Sequence, residues 1–466
     1  MAAPARSFLR VAMAASLAVT MTARPGMAAA QSREPETLIR DTEIEETIHV
    51  DVGPILRAAN IDPKGVQVVI IGTKEPNAFA APKVMGITTG LLLESKNPNE
   101  VQGVMAHEVG HLAAGHSFRS GEIARAGMVP MILTMGLGVL AAMAGAGDAA
   151  AGLISSAPMF GALNQFKYSR EQEGRADQAG ATLLEKAGLS GRGLAEFFNN
   201  FRYQEVFQEF RRYQYFIDHP LSSDRIESLQ SRVAALPHYN EKDSPEALAQ
   251  HEVIKAKLEG FIYPQQALVK YDEKDKGFPA RYARAIAYYQ TKEPDKALKR
   301  VDELLADYPN NPYLYELKGQ ILFEFGRMPE AEGPQRRSVE LKPDAPLLRV
   351  NLGQTLVALD DKKKIQEGIH ELRVALQQED DNAVAWRLLA EAYDKTGEAG
   401  MARLATAEYA FSIGNMKDAR QFAIRARERL DKNTPEWRRA TDIVLVSKPS
   451  PQDLKDLQRE GSIGGG

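Results

Sequence analysis

Apolar side chains recur every three or four positions along most of this 466-residue chain, which is the spacing of helices that bury one face. Residues 101–112 show this period clearly. Asn97, Pro98 and Glu100 precede them and supply an N-cap, a first-turn proline and a capping carboxylate. The run Val66–Gly72 is instead nearly continuous and rich in β-branched residues, which favours a strand. We therefore predict a mainly helical, α+β fold with one small sheet.

A second pattern repeats in the C-terminal part with a period of 34 residues, the period of tetratricopeptide repeats. Four positions recur with small, aromatic, small and proline residues: Ala285, Tyr289, Ala297 and Pro309, then Gly319, Phe323, Ala331 and Pro343. Further units around Trp386 and over residues 404–426 indicate four helical pairs, although an unrelated helical bundle could mimic the pattern. An α-helical array of this kind presents a concave surface for protein partners.

These patterns divide the chain into two domains. We expect the first domain at residues 31–260 and the α-helical repeat solenoid at residues 261–448. The tail, residues 449–466, ends in three glycines and is expected to be disordered.

Residues 1–30 have the layout of a secretory signal peptide. Arg6 and Arg10 precede the apolar run Val11–Val19, and Ala28-Ala29-Ala30 fits a small-residue cleavage site. A retained membrane anchor is the alternative, but the run is short for a membrane span. We therefore expect an exported protein.

Composition narrows the functional classes. The chain has no cysteine, so neither a lipoprotein anchor nor a disulfide framework is available. Removal of residues 1–30 takes away three arginines and no acids, which changes the net charge from −4 to −7. An acidic chain does not suggest nucleic acid as a partner, because nucleic-acid binders are typically basic.

A second apolar stretch, Met128–Gly147, has 20 residues without a charge. Its glycines and alanines make it weakly hydrophobic, which favours a helical hairpin or lid at residues 126–161. Contact with a membrane surface is a further expectation, and a true membrane span is the alternative.

The most informative motif is His107-Glu108-Val109-Gly110-His111, which has the His-Glu-x-x-His form of zinc metallopeptidases. Residues i and i+4 share a helix face, so both imidazoles can bind one ion while Glu108 stands beside its open side. Zinc polarises a carbonyl and acidifies a water molecule, and Glu108 would take the proton of that water. The motif predicts hydrolysis, with two histidines on a solvated helix as the alternative.

A catalytic zinc site needs a third protein ligand. Glu173 and Asp177 lie on one face of a downstream helical segment, where Glu173 can ligate and Asp177 can orient a ligating imidazole. Without the upstream motif this segment would be merely an acidic helix. His116 points away from the motif face, so we expect it to be structural.

Four segments follow one another in a characteristic order: Asn77-Ala78-Phe79-Ala80, Thr88–Leu92, the His107–His111 motif, and Ser169-Arg170 leading into Glu173 and Asp177. This order resembles the signatures of the HtpX/CAAX-protease-type zinc peptidases. The chain looks most like the periplasmic subgroup of that family, which carries a C-terminal repeat domain. Pro82-Lys83 departs from the Pro-Gly pair of many relatives, which puts the shape of that turn in doubt.

The resemblance implies a gluzincin-type metallopeptidase domain that binds one Zn2+ per chain. In the family the ligands correspond to His107, His111 and Glu173, the catalytic base to Glu108, and the orienting carboxylate to Asp177. An extended substrate would add as a strand along Asn77–Ala80, although Asn77 by itself could be an ordinary turn residue.

The resemblance also extends to His219-Pro220, with Arg225 six residues after the histidine. In relatives such a histidine can take the fourth zinc position and hold the enzyme latent. The resemblance thus implies a switch at His219 and a functional role for Arg225. A turn that starts a helix is the alternative.

Two classes of function follow. By resemblance, the first is a periplasmic zinc endopeptidase that degrades misfolded or misassembled envelope and outer-membrane proteins, with repeats that bind partners such as their assembly machinery. The second is a chaperone or adaptor for outer-membrane protein assembly with a latent zinc site. Glu108 favours the first class, because a structural zinc site needs no base beside its ligands.

Overall fold

The computed structural model describes residues 37–114, 170–202, 219, 221–432 and 434–459. The expected signal peptide, the apolar segment at residues 126–161 and His116 lie outside the described residues. Among the helices that are described, none combines the length and the apolar character needed to cross a bilayer.

The first domain contains a sheet of four strands in the order β1-β2-β4-β3. The strands are β1 Thr37–Ile39, β2 Gln67–Gly72, β3 Ala78–Ala81 and β4 Val84–Thr88. β2 is parallel to β4, whereas β1 and β3 are antiparallel to their neighbours. Within the described residues β3 pairs on one side only, so the expected substrate segment forms an edge strand. The strand predicted at Val66–Gly72 is confirmed as β2.

The described residues of the first domain also form six helices, of which the first three contact the sheet: α1 Thr42–Ala58, α2 Thr89–Glu94, α3 Pro98–Ala113, α4 Arg170–Lys186, α5 Arg192–Arg202 and α6 Ser223–Ala234. Helix α3 contacts α1, α4, α5 and β3 and therefore lies at the centre of the domain. All its residues from Pro98 to Leu112 are buried. A helix buried on every side holds its polar side chains in fixed positions, because each must find a partner inside the protein.

Helix α3 begins where the sequence predicts. The Asn97 side chain accepts a hydrogen bond of 2.9 Å from the Glu100 N–H, and Pro98 is the first helical residue. The Glu100 carboxylate differs from a standard capping box, because it accepts from the N–H of Lys96 at 2.8 Å, one residue before the cap.

The described residues of the C-terminal part form helices joined by turns and contain no strand. Its helices are α7 Pro245–Ile262, α8 Pro264–Lys270, α9 Phe278–Gln290, α10 Pro294–Asp307, α11 Pro312–Glu324, α12 Met328–Leu341, α13 Pro346–Ala358, α14 Lys362–Gln378, α15 Ala383–Thr396, α16 Ala399–Ser412, α17 Met416–Arg427, α18 Pro435–Val446 and α19 Pro451–Arg459. Helices α9 to α18 form five consecutive pairs, one more than the four expected.

The tail, residues 449–466, contains a helix, α19, and differs in this from the prediction. Residues 451–459, which were expected to be disordered, form a helix. Leu457 is 1% exposed and packs in an apolar cluster with Ala440 and Ile443 of α18. Burial of one leucine contributes about 1.5–3 kcal/mol, which helps to hold a short polar helix against the array.

The expected domain boundary after residue 260 falls inside α7. The two faces of α7 belong to different cores. Val253 packs in the core shared by the first two repeat pairs, whereas Ile254 and Leu258 pack in the core of the first domain. The two domains therefore share a helix and are not joined by a linker.

A buried ion pair reinforces this junction. Lys257 of α7 is 3% exposed, and its Nζ lies 2.7 Å from Asp41 and 3.0 Å from Glu43 at the start of α1. The hydroxyl of Tyr282 in α9 donates to the same Glu43 carboxylate at 3.2 Å. The Tyr313 hydroxyl of α11 donates to Glu46 at 2.6 Å. The acidic start of α1 is thus held by the first two repeat pairs.

We predict that Lys257→Met lowers the free energy of unfolding by about 3–5 kcal/mol, because it leaves the buried Glu43 carboxylate without its cation. Denaturant unfolding of the full chain measures this change. Lys318→Met is the matched control, since Lys318 and its partner Asp302 are 28% and 55% exposed and their pair should contribute less than about 1 kcal/mol. Equal effects of the two substitutions would show that the junction does not depend on this pair.

Candidate metal centre

Four buried side chains that can ligate a metal converge between α3, α4 and the segment before α6. They are His107, His111, Glu173 and His219, and one ligand atom of each lies within 4.8 Å of the others. The exposed fraction of each is 4% or less. The structure therefore brings together the three ligands predicted from the motifs and the histidine predicted as a fourth.

Four of the six distances between these atoms fit a divalent ion held by four ligands. Ligand atoms about 2.0–2.1 Å from a tetrahedral ion are about 3.3 Å apart from each other. His107 Nε2 lies 3.1 Å from His111 Nε2 and 3.3 Å from His219 Nδ1. Glu173 Oε1 lies 3.1 Å from His219 Nδ1 and 3.3 Å from His111 Nε2. Three imidazoles and a carboxylate are also a donor set that suits zinc.

Two glycines allow the helices to carry these ligands into contact. A Cβ on Gly110 would lie 2.7 Å from the Ala176 carbonyl oxygen of α4. A Cβ on Gly180 would lie 3.0 Å from the backbone nitrogen of His107. Glycine at both positions lets the backbones of α3 and α4 approach closely, which places Glu173 beside the two motif histidines.

Asp177 and Arg225 form a second set of contacts behind the ligands. Asp177 Oδ1 lies 2.9 Å from His107 Nδ1, the ring nitrogen that faces away from the ligand cluster. Arg225 donates to both oxygens of Asp177 at 2.9 Å, and its third nitrogen lies 2.9 Å from Glu173 Oε2. These contacts fix the ring of His107 and the carboxylate of Glu173.

The electrostatics of the cluster favour a positive charge at its centre. Burial opposes the charged form of His107, but Asp177 and Glu173 outweigh burial and raise the pKa of His107 to about 10. Burial and the neighbouring His107 lower the pKa of His111 to about 3, despite the opposing effect of Glu173. Burial alone would raise the pKa of Glu173, but the three histidines hold it well below its ordinary value. A divalent cation satisfies the same carboxylates as a proton does, so metal binding competes with protons.

Glu108 lies next to this cluster and is 2% exposed. His219 stands between Glu108 and the other ligands. Its Nδ1 faces His107 and Glu173, whereas its Nε2 lies 3.6 Å from Glu108 Oε1. The imidazole of His219 therefore fills the space where a water molecule would have to contact both Glu108 and an ion.

The predicted substrate segment lies beside the same helix, since β3 contacts α3. Asn77 precedes β3, and its N–H donates to the Thr88 hydroxyl at 2.7 Å. The Phe79 ring covers Gly86 of the neighbouring strand, where a Cβ would lie only 1.9 Å from it. Asn77 is thus held by a hydrogen bond at the start of the edge strand β3.

Phe198 of α5 belongs to the site but carries no sequence signal for it. Its ring meets that of His107 almost at right angles, with centroids 5.6 Å apart, and the Arg225 guanidinium lies 5.9 Å from its centre. In the sequence Phe197 and Phe198 are ordinary apolar positions of an amphipathic helix, which predict core packing and nothing more.

The geometry agrees with the relationships of the chain. Residues 39–233 match peptidase family M48, and residues 282–346 match a tetratricopeptide repeat family. Relatives include a putative beta-barrel assembly-enhancing protease of Vibrio cholerae serotype O1, which is 24% identical over 84% of this chain and 82% of that protein. The beta-barrel assembly-enhancing protease of Escherichia coli K12 is 24% identical over 78% of this chain and 74% of that protein.

A third relative, metalloprotease LoiP of Escherichia coli K12, is 31% identical over 38% of this chain and 66% of that protein. The chain thus combines a peptidase family M48 domain with tetratricopeptide repeats. This confirms the class, a metallopeptidase with a repeat domain, that the sequence motifs predicted.

We predict that Asp177→Asn weakens metal binding by about 10- to 100-fold, because the amide no longer fixes the His107 ring or neutralises Arg225. Competition of the full chain with a chromogenic zinc chelator measures the affinity. Glu171→Gln is the control, since Glu171 lies on the same helix but is 75% exposed. An unchanged affinity in folded Asp177→Asn protein would contradict the role assigned to Asp177.

Proposed function

We propose that this chain is a zinc-dependent endopeptidase that acts on misfolded or misassembled envelope proteins in the bacterial periplasm. The observation that carries the proposal is a buried carboxylate, Glu108, beside a set of four buried side chains whose ligand atoms lie within 4.8 Å of one another. A purely structural zinc site has no use for such a carboxylate, whereas hydrolysis requires a base at this position.

In this proposal His107, His111 and Glu173 hold one zinc ion, and Asp177 with Arg225 keeps them in place. Zinc when bound supplies a Lewis acid that polarises the scissile carbonyl and acidifies water. Glu108 takes the proton from the attacking water and returns it to the leaving amine. The substrate polypeptide pairs with the edge of β3 that has no partner strand among the described residues, so that backbone hydrogen bonds align it beside α3 without reading its sequence.

We predict that Glu108→Gln lowers the rate of cleavage of an unfolded outer-membrane β-barrel protein by at least about 100-fold while zinc is retained, because the amide cannot accept the proton. Cleavage by the full chain is followed on gels, and the metal content is measured by mass spectrometry. Glu241→Gln is the control at an exposed position. Cleavage by a zinc-loaded Glu108→Gln protein at the normal rate would refute the proposed mechanism.

We further propose that His219 keeps this site latent. Its imidazole completes the ligand set and lies between Glu108 and the other ligands, so water and substrate can enter only after it moves. Arg225 lies at the start of α6, six residues after His219, and is fixed by Asp177. Release of His219 therefore leaves Arg225 in place, because Asp177 continues to hold it.

His219→Ala should consequently raise the basal rate of cleavage of the same substrate, because three protein ligands then leave a position for water. The rate is compared with that of the wild-type chain at equal zinc content. His238→Ala is the control, since the ring of His238 is 43% exposed and paired with Glu185 away from the site. A lower rate in zinc-loaded His219→Ala protein would show that His219 assists the reaction and does not block it.

The repeats and the relatives support the choice of substrate. Relatives that align with most of the chain are named beta-barrel assembly-enhancing proteases. We propose by this similarity that the repeat array binds outer-membrane proteins or their assembly machinery, and that residues 1–30 direct export to the periplasm. Contact of residues 126–161 with a membrane surface belongs to the same proposal.

A chaperone or adaptor is the second candidate, and one observation favours it. The four-ligand arrangement with His219 is closed, as structural zinc sites are. The Glu108 and His219 variants separate these candidates. Absence of cleavage by both wild-type and His219→Ala protein, with zinc bound, would favour the adaptor.

A further inference from the structure

A cleft of about 660 Å3 lies beside the start of the edge strand β3, away from the metal ligands. Its walls come from three parts of the chain: residues 74–75 between β2 and β3, the helix α2, and the helices α7 and α8. The cleft is therefore built jointly by the first domain and by the helices that lead into the repeats. Neither zinc binding nor the proposed hydrolysis involves its residues.

Hydrogen bonds connect the rim of this cleft to the start of β3. The Thr88 hydroxyl donates to the Glu75 carbonyl at 2.8 Å and accepts from the Asn77 N–H at 2.7 Å. The N–H of Gly90 donates to the Thr73 carbonyl at 2.9 Å. A Cβ on Gly90 would lie 2.3 Å from the Lys74 carbonyl oxygen, so the close approach of α2 to this segment requires glycine.

This continuity places the cleft next to one end of the β3 edge. A polypeptide that pairs with β3 leaves the strand at its Asn77 end, whichever direction it runs. Residues 73–77 cross from the end of β2 to the start of β3 over the end of β4, so a polypeptide that leaves β3 at Asn77 reaches Glu75 and Lys74 by turning across this end of the sheet. At about 3.3 Å per residue roughly three residues span this turn, and Glu75 and Lys74 line the cleft, which is therefore within reach of a polypeptide on β3.

The lining indicates which side chains the cleft accepts. Leu93, Tyr263 and Ala267 supply apolar surface. Three carboxylates and two ammonium groups surround it: Glu75, Glu94, Glu259, Lys74 and Lys270. Lys270 is paired with Glu259 at 2.7 Å, and Glu94 is exposed at the end of α2. The lining of the cleft thus has one more carboxylate than ammonium groups. This excess favours a bound polypeptide in which an apolar side chain is followed by lysine or arginine.

We propose that this cleft is a second binding site for substrate polypeptide, which takes the residues beyond those paired with β3 and prefers an apolar residue next to a basic one. The inference rests on the proposed function, because it assumes that β3 binds substrate. Such a site selects for extended polypeptide several residues long, which folded proteins do not offer.

The test measures binding and does not depend on hydrolysis. Two fluorescein-labelled peptides of roughly 12 residues, long enough at about 3.3 Å per residue to cover β3 and the cleft, differ only in a Leu-Lys or Leu-Glu pair. Fluorescence anisotropy gives their affinities for the full chain that carries Glu108→Gln and His219→Ala. We expect about fivefold tighter binding of the Leu-Lys peptide, the effect of one partly exposed ion pair.

Glu94→Lys, added to the chain with Glu108→Gln and His219→Ala, should reverse the preference between the two peptides. Gln266→Trp, at an exposed position that lines the cleft, should weaken the binding of both peptides. Glu241→Lys is the charge-matched control far along the chain and should leave the preference as it is. A preference that survives both Glu94→Lys and Gln266→Trp would overturn the inference. If the peptides bind with the expected charge preference but the cleavage assays show no hydrolysis, the peptidase proposal is refuted and the cleft remains a polypeptide-binding site.

Discussion

The structure of the first domain depends on the burial of three carboxylates around one point. Glu108, Glu173 and Asp177 are each at most 2% exposed, and buried carboxylates are stable only when cations and hydrogen-bond donors surround them. Arg225 neutralises two of them directly, and the histidines share the remaining charge with a proton or a metal. This requirement explains why α3, α4 and the start of α6 must come together, and why two glycines allow α3 and α4 to approach so closely.

The repeat array is also attached to the first domain through carboxylates. Tyr282 and Tyr313 belong to the first helices of two repeat pairs, and both donate to carboxylates at the start of α1. Part of the surface that an isolated array would offer to partners is therefore used by the chain itself. Because α7 packs in both cores, the repeats are held in a defined position relative to the metal centre.

Several features were predictable because they depend on neighbours in the sequence. Asn97 caps α3, the motif histidines share a face, and Glu173 lies one turn from Asp177, as helical geometry requires. The predictions failed where distant packing outweighs local composition. Residues 451–459 look like a polar tail, but the burial of Leu457 holds them in a helix. The boundary expected at residue 260 falls inside α7, whose two faces pack in two cores, and a sequence pattern does not show which core a face joins.

The sequence by itself determined the class of the protein and the identity of its candidate ligands, because a metal-binding motif and a 34-residue period are local patterns that rarely arise by chance. Only the tertiary structure decided that His219 inserts between Glu108 and the other ligands, and that Arg225 bridges Asp177 and Glu173. It also decided that Phe198 supports His107 and that a cleft continues from β3. These contacts join residues that are distant along the chain, so they exist only once the helices have packed together.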